Sequence, residues 1–482
     1  MKKTIIFLCA CALSGMMLMS CQDSIDMEAA GSGTRSVNID KDLFAVKGCV
    51  HVKLSKAASA ALPATRSGEV EMQGVPSAMS SAMQYAGAYR MERVFKPAGV
   101  YEARTAAAGL DRWYTVYFDD SKDVAAVVQQ FSKAKGVEYA ERVLPIARPE
   151  ITAKPYTAAG ADASMQQVAA GGFDDPLLAK QWHYYNDGSV SVRAKKGADC
   201  NVRPVWEKYT TGRKNVIVAI VDGGIDVTHE DLVDNLYINE KEKNGQPGVD
   251  DDGNGFIDDV YGYNFVEAKD VVGGTIEPDD EGHGTHVAGT VGARNNNGKG
   301  VAGIAGGDGT AGSGVRLMSC EIYGHDDKNE TATTDYIVKA FEFAAENGAS
   351  VMNCSWGYGF DRKKYLNNEN FQAIFKKQFD LLKEGINYFT DYAGCDPQGN
   401  KKPGSYMKGG LVIFASGNDS QYDIDMIPAS YPRVVAVGAT NSMGIPTDYM
   451  NKGPWVDILA PGGTTETGEV MRGVLSTVPK AF

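Results

Sequence analysis

The sequence predicts an α/β fold: a parallel sheet with flanking helices, preceded by a smaller α+β domain. Apolar runs at 216–221, 351–354, 411–415 and 434–437 are short and unalternating, as strands buried on both faces are. Helix-forming stretches at 331–347 and 369–385 fall between them, and strands that alternate with helices build parallel sheet. The chain is 482 residues long, more than one typical domain, which leaves room for a second unit.

In chain order, residues 1–20 carry Lys2 and Lys3, an apolar run from Ile5 and a small residue, Ser20, before Cys21. They read as a signal peptide rather than a fold element. The ending Leu18-Met19-Ser20-Cys21 resembles a bacterial lipobox, which implies lipidation at Cys21 and a membrane anchor; an ordinary cleaved signal with an incidental cysteine is the alternative. The expected location is the cell envelope, periplasmic or outer surface. Residues 21–85 are rich in Ser, Ala, Gly and Met without a sustained period and read as a stalk. Over 86–150 the pattern sharpens into a small α+β domain. Trp113–Phe118 reads as a strand, Asp119-Asp120-Ser121 as a helix start, and Val124, Val127, Val128 and Phe131 share one helical face. Residues 151–175 read as an exposed linker, and 176–482 as the parallel-sheet unit.

The composition, 43% apolar and 23% charged, is that of a soluble globular protein. A formal charge of −13 argues against nucleic acid as a partner and against basic residues as the means of holding a membrane. With the signal and Cys21 set aside, Cys49, Cys200, Cys320, Cys354 and Cys395 remain. Their scattered spacing contains no zinc-ligand cluster and leaves any pairing open.

In a parallel sheet, ligands gather at the carboxyl ends of the strands, so the polar residues that follow the apolar runs are the candidates for chemistry. Asp222 ends the run Ile220-Val221-Asp222-Gly223-Gly224 and is a candidate orienting acid; a simple turn is its bland reading. His283, in Gly282-His283-Gly284-Thr285-His286, sits where small residues open onto a helix, and a base there can reach substrate. A metal held by His283 and His286 is disfavoured because the His-Glu-x-x-His pattern is absent. Asn418 follows Phe414-Ala415-Ser416-Gly417 and is placed to donate to an oxyanion.

With IVDGGID, GHGTHVAGT, NCSWG and ASGND in this order, residues 176–478 resemble the subtilisin-like serine proteases. The resemblance implies a serine-type endopeptidase acting on polypeptide substrates. Asp222 would orient His283, which would take a proton from a serine nucleophile, while Asn418 stabilises the oxyanion. Ser355-Trp356-Gly357 would pair with extended substrate main chain. The resemblance also gives the domain at 86–150 the role of an inhibitory propeptide, a partner within the chain, against the alternative of an unrelated accessory domain. The family's Gly-Thr-Ser-x-Ala segment does not occur in these 482 residues. Ser355, Ser416 and Ser476 stand in motifs with other family roles. The chain as given is therefore expected to be C-terminally incomplete and inactive. The rival from another class is a catalytically dead peptide-binding member.

Between Asp222 and His283, acids and an amide recur around glycines at Asp250, Asp252, Asn254 and Asp258. Oxygen ligands at that spacing suit a structural Ca²⁺. Tyr261 stands where an EF-hand has its bidentate Glu, so a calcium loop of different closure is expected, with a solvated acidic loop as the alternative.

Overall fold

The computed structural model describes residues 5–8, 39–40, 44–62, 68–147, 152–155, 172–266, 282–323, 331–358, 378–422, 426–464 and 473–479. Cys21 and the centre of the expected linker lie outside them. Among the described residues no helix is long and apolar enough to cross a membrane.

The N-terminal unit is built from β1 (Cys49–Leu54), α1 (Ser80–Ala86), β2 (Arg90–Arg93), α2 (Glu102–Ala108), β3 (Trp113–Tyr117), α3 (Val124–Lys133) and β4 (Val137–Arg142). Its strands form an antiparallel sheet in the order β2-β3-β1-β4. Residues 44–62 and 68–85 therefore do not form a stalk, since β1 is a central strand of this sheet. The helix after β3 starts two residues later than expected. Asp123 caps it by accepting from Ala126 N at 2.7 Å, while Asp119 closes a turn onto Ser121. Val124, Val127 and Phe131 face inward and join Val50, Val52 and Val116 in this unit's own core.

The C-terminal unit contains β5 (Ile217–Asp222), β6 (Gly262–Asn264), α4 (His283–Gly292), β7 (Arg316–Glu321), α5 (Thr334–Glu346), β8 (Val351–Cys354), α6 (Asp380–Tyr392), β9 (Leu411–Ala415), β10 (Val435–Thr440) and β11 (Ile458–Pro461). Seven strands make one parallel sheet in the order β6-β7-β5-β8-β9-β10-β11, as the unalternating apolar runs predicted. Of the helix expected at 369–385, residues 369–377 lie outside the described residues and the remainder runs into α6, Asp380–Tyr392.

Alternate residues of the strands serve two layers. Ala219, Val221, Met352, Cys354, Val412 and Phe414 pack beneath α5 and α6 through Ile337, Phe341, Leu382 and Phe389. On the other face, Val218, Ile220 and Leu317 meet Ala288 of α4 and Leu475. The first of these cores continues into the N-terminal unit through Val94, Phe95, Trp113 and Ile146, so the two units share apolar packing across their boundary. Among the described residues, no disulfide joins any two of Cys49, Cys200, Cys320, Cys354 and Cys395.

Candidate active site

The register of the sheet brings the candidate residues to one edge. β5, β8 and β9 are adjacent and parallel, with Val221 opposite Cys354 and Cys354 opposite Phe414. Asp222, Ser355 and Ala415 therefore stand level at the carboxyl ends, with Ser416 one residue beyond, where ligands bind such sheets.

Asp222 is 2% exposed at the end of β5. Its Oδ1 accepts from Gly223 N at 2.8 Å and lies 2.7 Å from His283 Nδ1. A buried carboxylate at that distance holds the proton on Nδ1 and leaves Nε2 as the basic nitrogen. The approach depends on glycine. A Cβ on Gly284 would stand 2.0 Å from Gly224 O, so the loop after β5 and the first turn of α4 meet backbone to backbone. Thr285 Oγ1 accepts from Asp226 N at 2.9 Å and ties the same two segments. His286 takes no part in the pair. Its Nε2 meets Val474 O at 3.0 Å, and burial pushes its pKa down to about 3, leaving the ring neutral.

Asn418 is half-buried just beyond β9. Its loop is fixed by a residue the sequence analysis did not single out. Asn451, fully buried, accepts from Asp419 N and Gln421 N at 3.1 Å each, and its Nδ2 donates to Asp419 Oδ2 at 3.0 Å. Gly417 has φ 94, and a Cβ there would lie 2.3 Å from Asn451 Nδ2. A buried asparagine far along the chain carries no local signal of this role.

Ser355, Trp356 and Gly357 divide their tasks. Ser355 Oγ accepts from Asn353 Nδ2 at 3.0 Å. The Trp356 ring is buried edge-on against Phe414 at 4.9 Å, which makes it a core side chain and leaves the main chain to face the edge. Gly357 is exposed, with open space where a Cβ would stand. Nearby in sequence, Thr331–Thr333 leads into α5 and pairs antiparallel with Pro145–Ala147 of the N-terminal unit, Ile146 opposite Ala332. Ser476 Oγ donates to His286 O at 2.8 Å.

Of the four expected calcium ligands, two come together. Oxygens of Asp250, Asp252 and Glu242 lie within 4.8 Å of one another. Asn254 instead donates to Asp259 Oδ2 at 3.1 Å, and Asp258 accepts from Gly248 N at 2.8 Å. Glu242, on the short helix Glu240–Lys243, was missed because it precedes the acidic run. Burial, then the charge of Asp252, pushes the nearby Asp259 up to about 8, the response of a carboxyl confined among others.

The pattern described as Subtilase family matches residues 213–481, and that described as N-terminal of Subtilase family matches 51–188. Subtilisin-like protease 1 of Plasmodium vivax is 32% identical over 188 residues, 39% of this chain and 26% of that protein. The Thermophilic serine proteinase of Bacillus sp. (strain AK1) is 29% identical over 258 residues, 53% of this chain and 46% of its own. The Extracellular protease of Xanthomonas campestris pv. campestris is 28% identical over 303 residues, 60% and 42% respectively. This chain thus spans less than half the length of each of these three relatives. Among solved structures, the epidermin leader peptide processing serine protease of Staphylococcus aureus is matched with TM-score 0.45 and 15% identity, over 87% of this chain and 75% of that one.

Proposed function

The chain belongs to the subtilase family, and from that premise we propose that it is the precursor of a secreted serine-type endopeptidase. The observation that carries the reading is the 2.7 Å contact between Asp222 Oδ1 and His283 Nδ1 at the strand ends. In this reading His283 Nε2 removes the hydroxyl proton of a serine as that oxygen attacks a peptide carbonyl. The proton then passes to the leaving amine, Asp222 stabilises the imidazolium, and Asn418 donates to the oxyanion. The serine belongs to a Gly-Thr-Ser segment that is not among these 482 residues. Without it, the chain as given does not hydrolyse peptides.

The N-terminal unit acts as the inhibitory propeptide. What supports this is the strand Pro145–Ala147, which lies antiparallel on Thr331–Thr333 just ahead of α5. The two segments form a two-stranded ribbon apart from the seven-stranded sheet, paired main chain to main chain as a bound peptide would be. Substrate main chain would pair with Thr331–Thr333 in place of that strand, and with the main chain of Ser355–Gly357. The same pairing supports the second reading, a peptide-binding protein without catalysis. A fluorophosphonate probe separates the two, since only a functional nucleophile is labelled.

Two further roles belong to the proposal. Glu242, Asp250 and Asp252, with Asn254 and Asp258 bracing the loop, suit a structural Ca²⁺, because hard oxygen donors around glycine turns match that ion. Lipidation at Cys21 would hold the protein on the cell envelope.

A further inference from the structure

Arg104, on α2 of the N-terminal unit, is only 4% exposed although it is charged, and nearly all of what surrounds it belongs to the C-terminal unit. Its guanidinium lies 5.3 Å from the ring centre of Tyr388 and 5.4 Å from that of Tyr392, both on α6; Tyr101 of its own unit is at 4.5 Å. Two of its three nitrogens are hydrogen-bonded. Nε donates to Tyr388 Oη at 3.0 Å. Nη1 donates to Cys395 O at 3.1 Å and to Asp396 O at 2.9 Å. Nη2 lies 3.6 Å from Glu346 Oε1.

The acceptors are themselves held. Tyr388 Oη donates onward to Glu346 Oε1 at 2.8 Å, and Lys402 Nζ donates to Glu346 O at 3.0 Å. Glu346 is the last residue of α5, and Cys395 and Asp396 lie just past the end of α6. Two helix C-termini therefore present their partial negative charge to one point. Flat aromatic faces with acceptors spread around the rim fit a planar guanidinium, not the compact ammonium of lysine.

We propose that the C-terminal unit carries a guanidinium socket formed by Tyr388, Tyr392, Glu346 and the carbonyls of Cys395 and Asp396. Arg104 fills it in this chain, and once the N-terminal unit is detached it takes an arginine side chain from another polypeptide. The second clause rests on the propeptide reading; the socket does not. It lies apart from the Asp222–His283 pair in the fold, on the far ends of α5 and α6, and so adds a binding site rather than a further part of the catalytic one.

The test uses the whole chain with Arg104→Ala, titrated with N-acetyl-arginine amide and, separately, N-acetyl-lysine amide, following heat and melting temperature. The socket predicts that the arginine amide binds the variant and raises its melting temperature, that the lysine amide binds at least about ten-fold more weakly, and that the parent binds neither. Adding Glu346→Gln should weaken the arginine amide by about ten-fold. Equal binding of the two amides, equal binding to the parent, or none, would overturn the socket. If Arg104→Ala does not fold, Arg104→Lys decides: a melting temperature clearly below the parent's supports the socket, and one equal to it refutes it. N-terminal sequencing of a secreted chain continued to a Gly-Thr-Ser segment addresses the propeptide reading separately. An intact N-terminal unit would sink that reading and leave the socket standing.

Discussion

Glu141, on β4 of the N-terminal unit, accepts a hydrogen bond from the main-chain N–H of Asp380 at 3.2 Å. It thereby closes the first turn of α6, a helix with no side-chain cap of its own. Burial, then the charge of Asp380, pushes its carboxyl up to about 8. His51 lies 3.9 Å from Glu141 and 3.5 Å from Asp335 of α5, so these three side chains meet where the two units join.

A raised acid pKa fixes the sign of a pH dependence. Between the ordinary value of 4.5 and about 8, the folded chain keeps a proton that the unfolded chain has lost, so stability falls as pH rises through that window. Because Asp259 and Glu346 are raised into the same window, the parent's decline has several sources, and Glu141→Gln should make its melting temperature fall less steeply than the parent's from about pH 5 to about pH 8. Parallel pH profiles of the two proteins would show that Glu141 does not govern this junction.

Asn451→Ala should cost roughly 1–3 kcal/mol, because main-chain donors at Asp419 and Gln421 lose their acceptor in a partly buried loop. Denaturant melts give the loss. Asn418 should become mobile along with that loop, visible as faster amide exchange at 417–421; unchanged exchange would mean that Asn451 does not position Asn418.

Ca²⁺ should raise the melting temperature, and a chelator should lower it, through the loop at 250–259. Glu242→Gln should weaken binding by removing one of three converging carboxylates, with calorimetry as the readout. No heat with Ca²⁺, together with indifference to chelator, leaves a solvated loop.

Cys21→Ser should move the protein from the membrane fraction to the soluble one, since an acyl chain is the only anchor the lipobox supplies. Equal partitioning of variant and parent contradicts lipidation.

Strand ends were the most legible part of the sequence. The runs 351–354 and 411–415 coincide with β8 and β9, and Asp222 and His283 could be named because each ends or begins an element beside glycine. β1 was missed for a physical reason. In Cys49–Leu54, His51 and Lys53 alternate with Val50, Val52 and Leu54, yet the polar set is also covered. His51 is fully buried, and Lys53 pairs with Glu384 of α6. Such a strand looks half-exposed in sequence because its second face is buried by another domain. Glu242 and Asn451 were missed because they reach their loops through space.

In the proposed function, Asp222 and His283 form the base of a serine protease whose nucleophile is not among these residues. Labelling by a fluorophosphonate tests it most directly, applied to residues 22–482 and to a chain continued through the same reading frame to a Gly-Thr-Ser segment. The first should not be labelled, and the second should be labelled in a way that His283→Ala abolishes. Labelling of the first chain, lost when Ser355, Ser416 or Ser476 is changed, would contradict it.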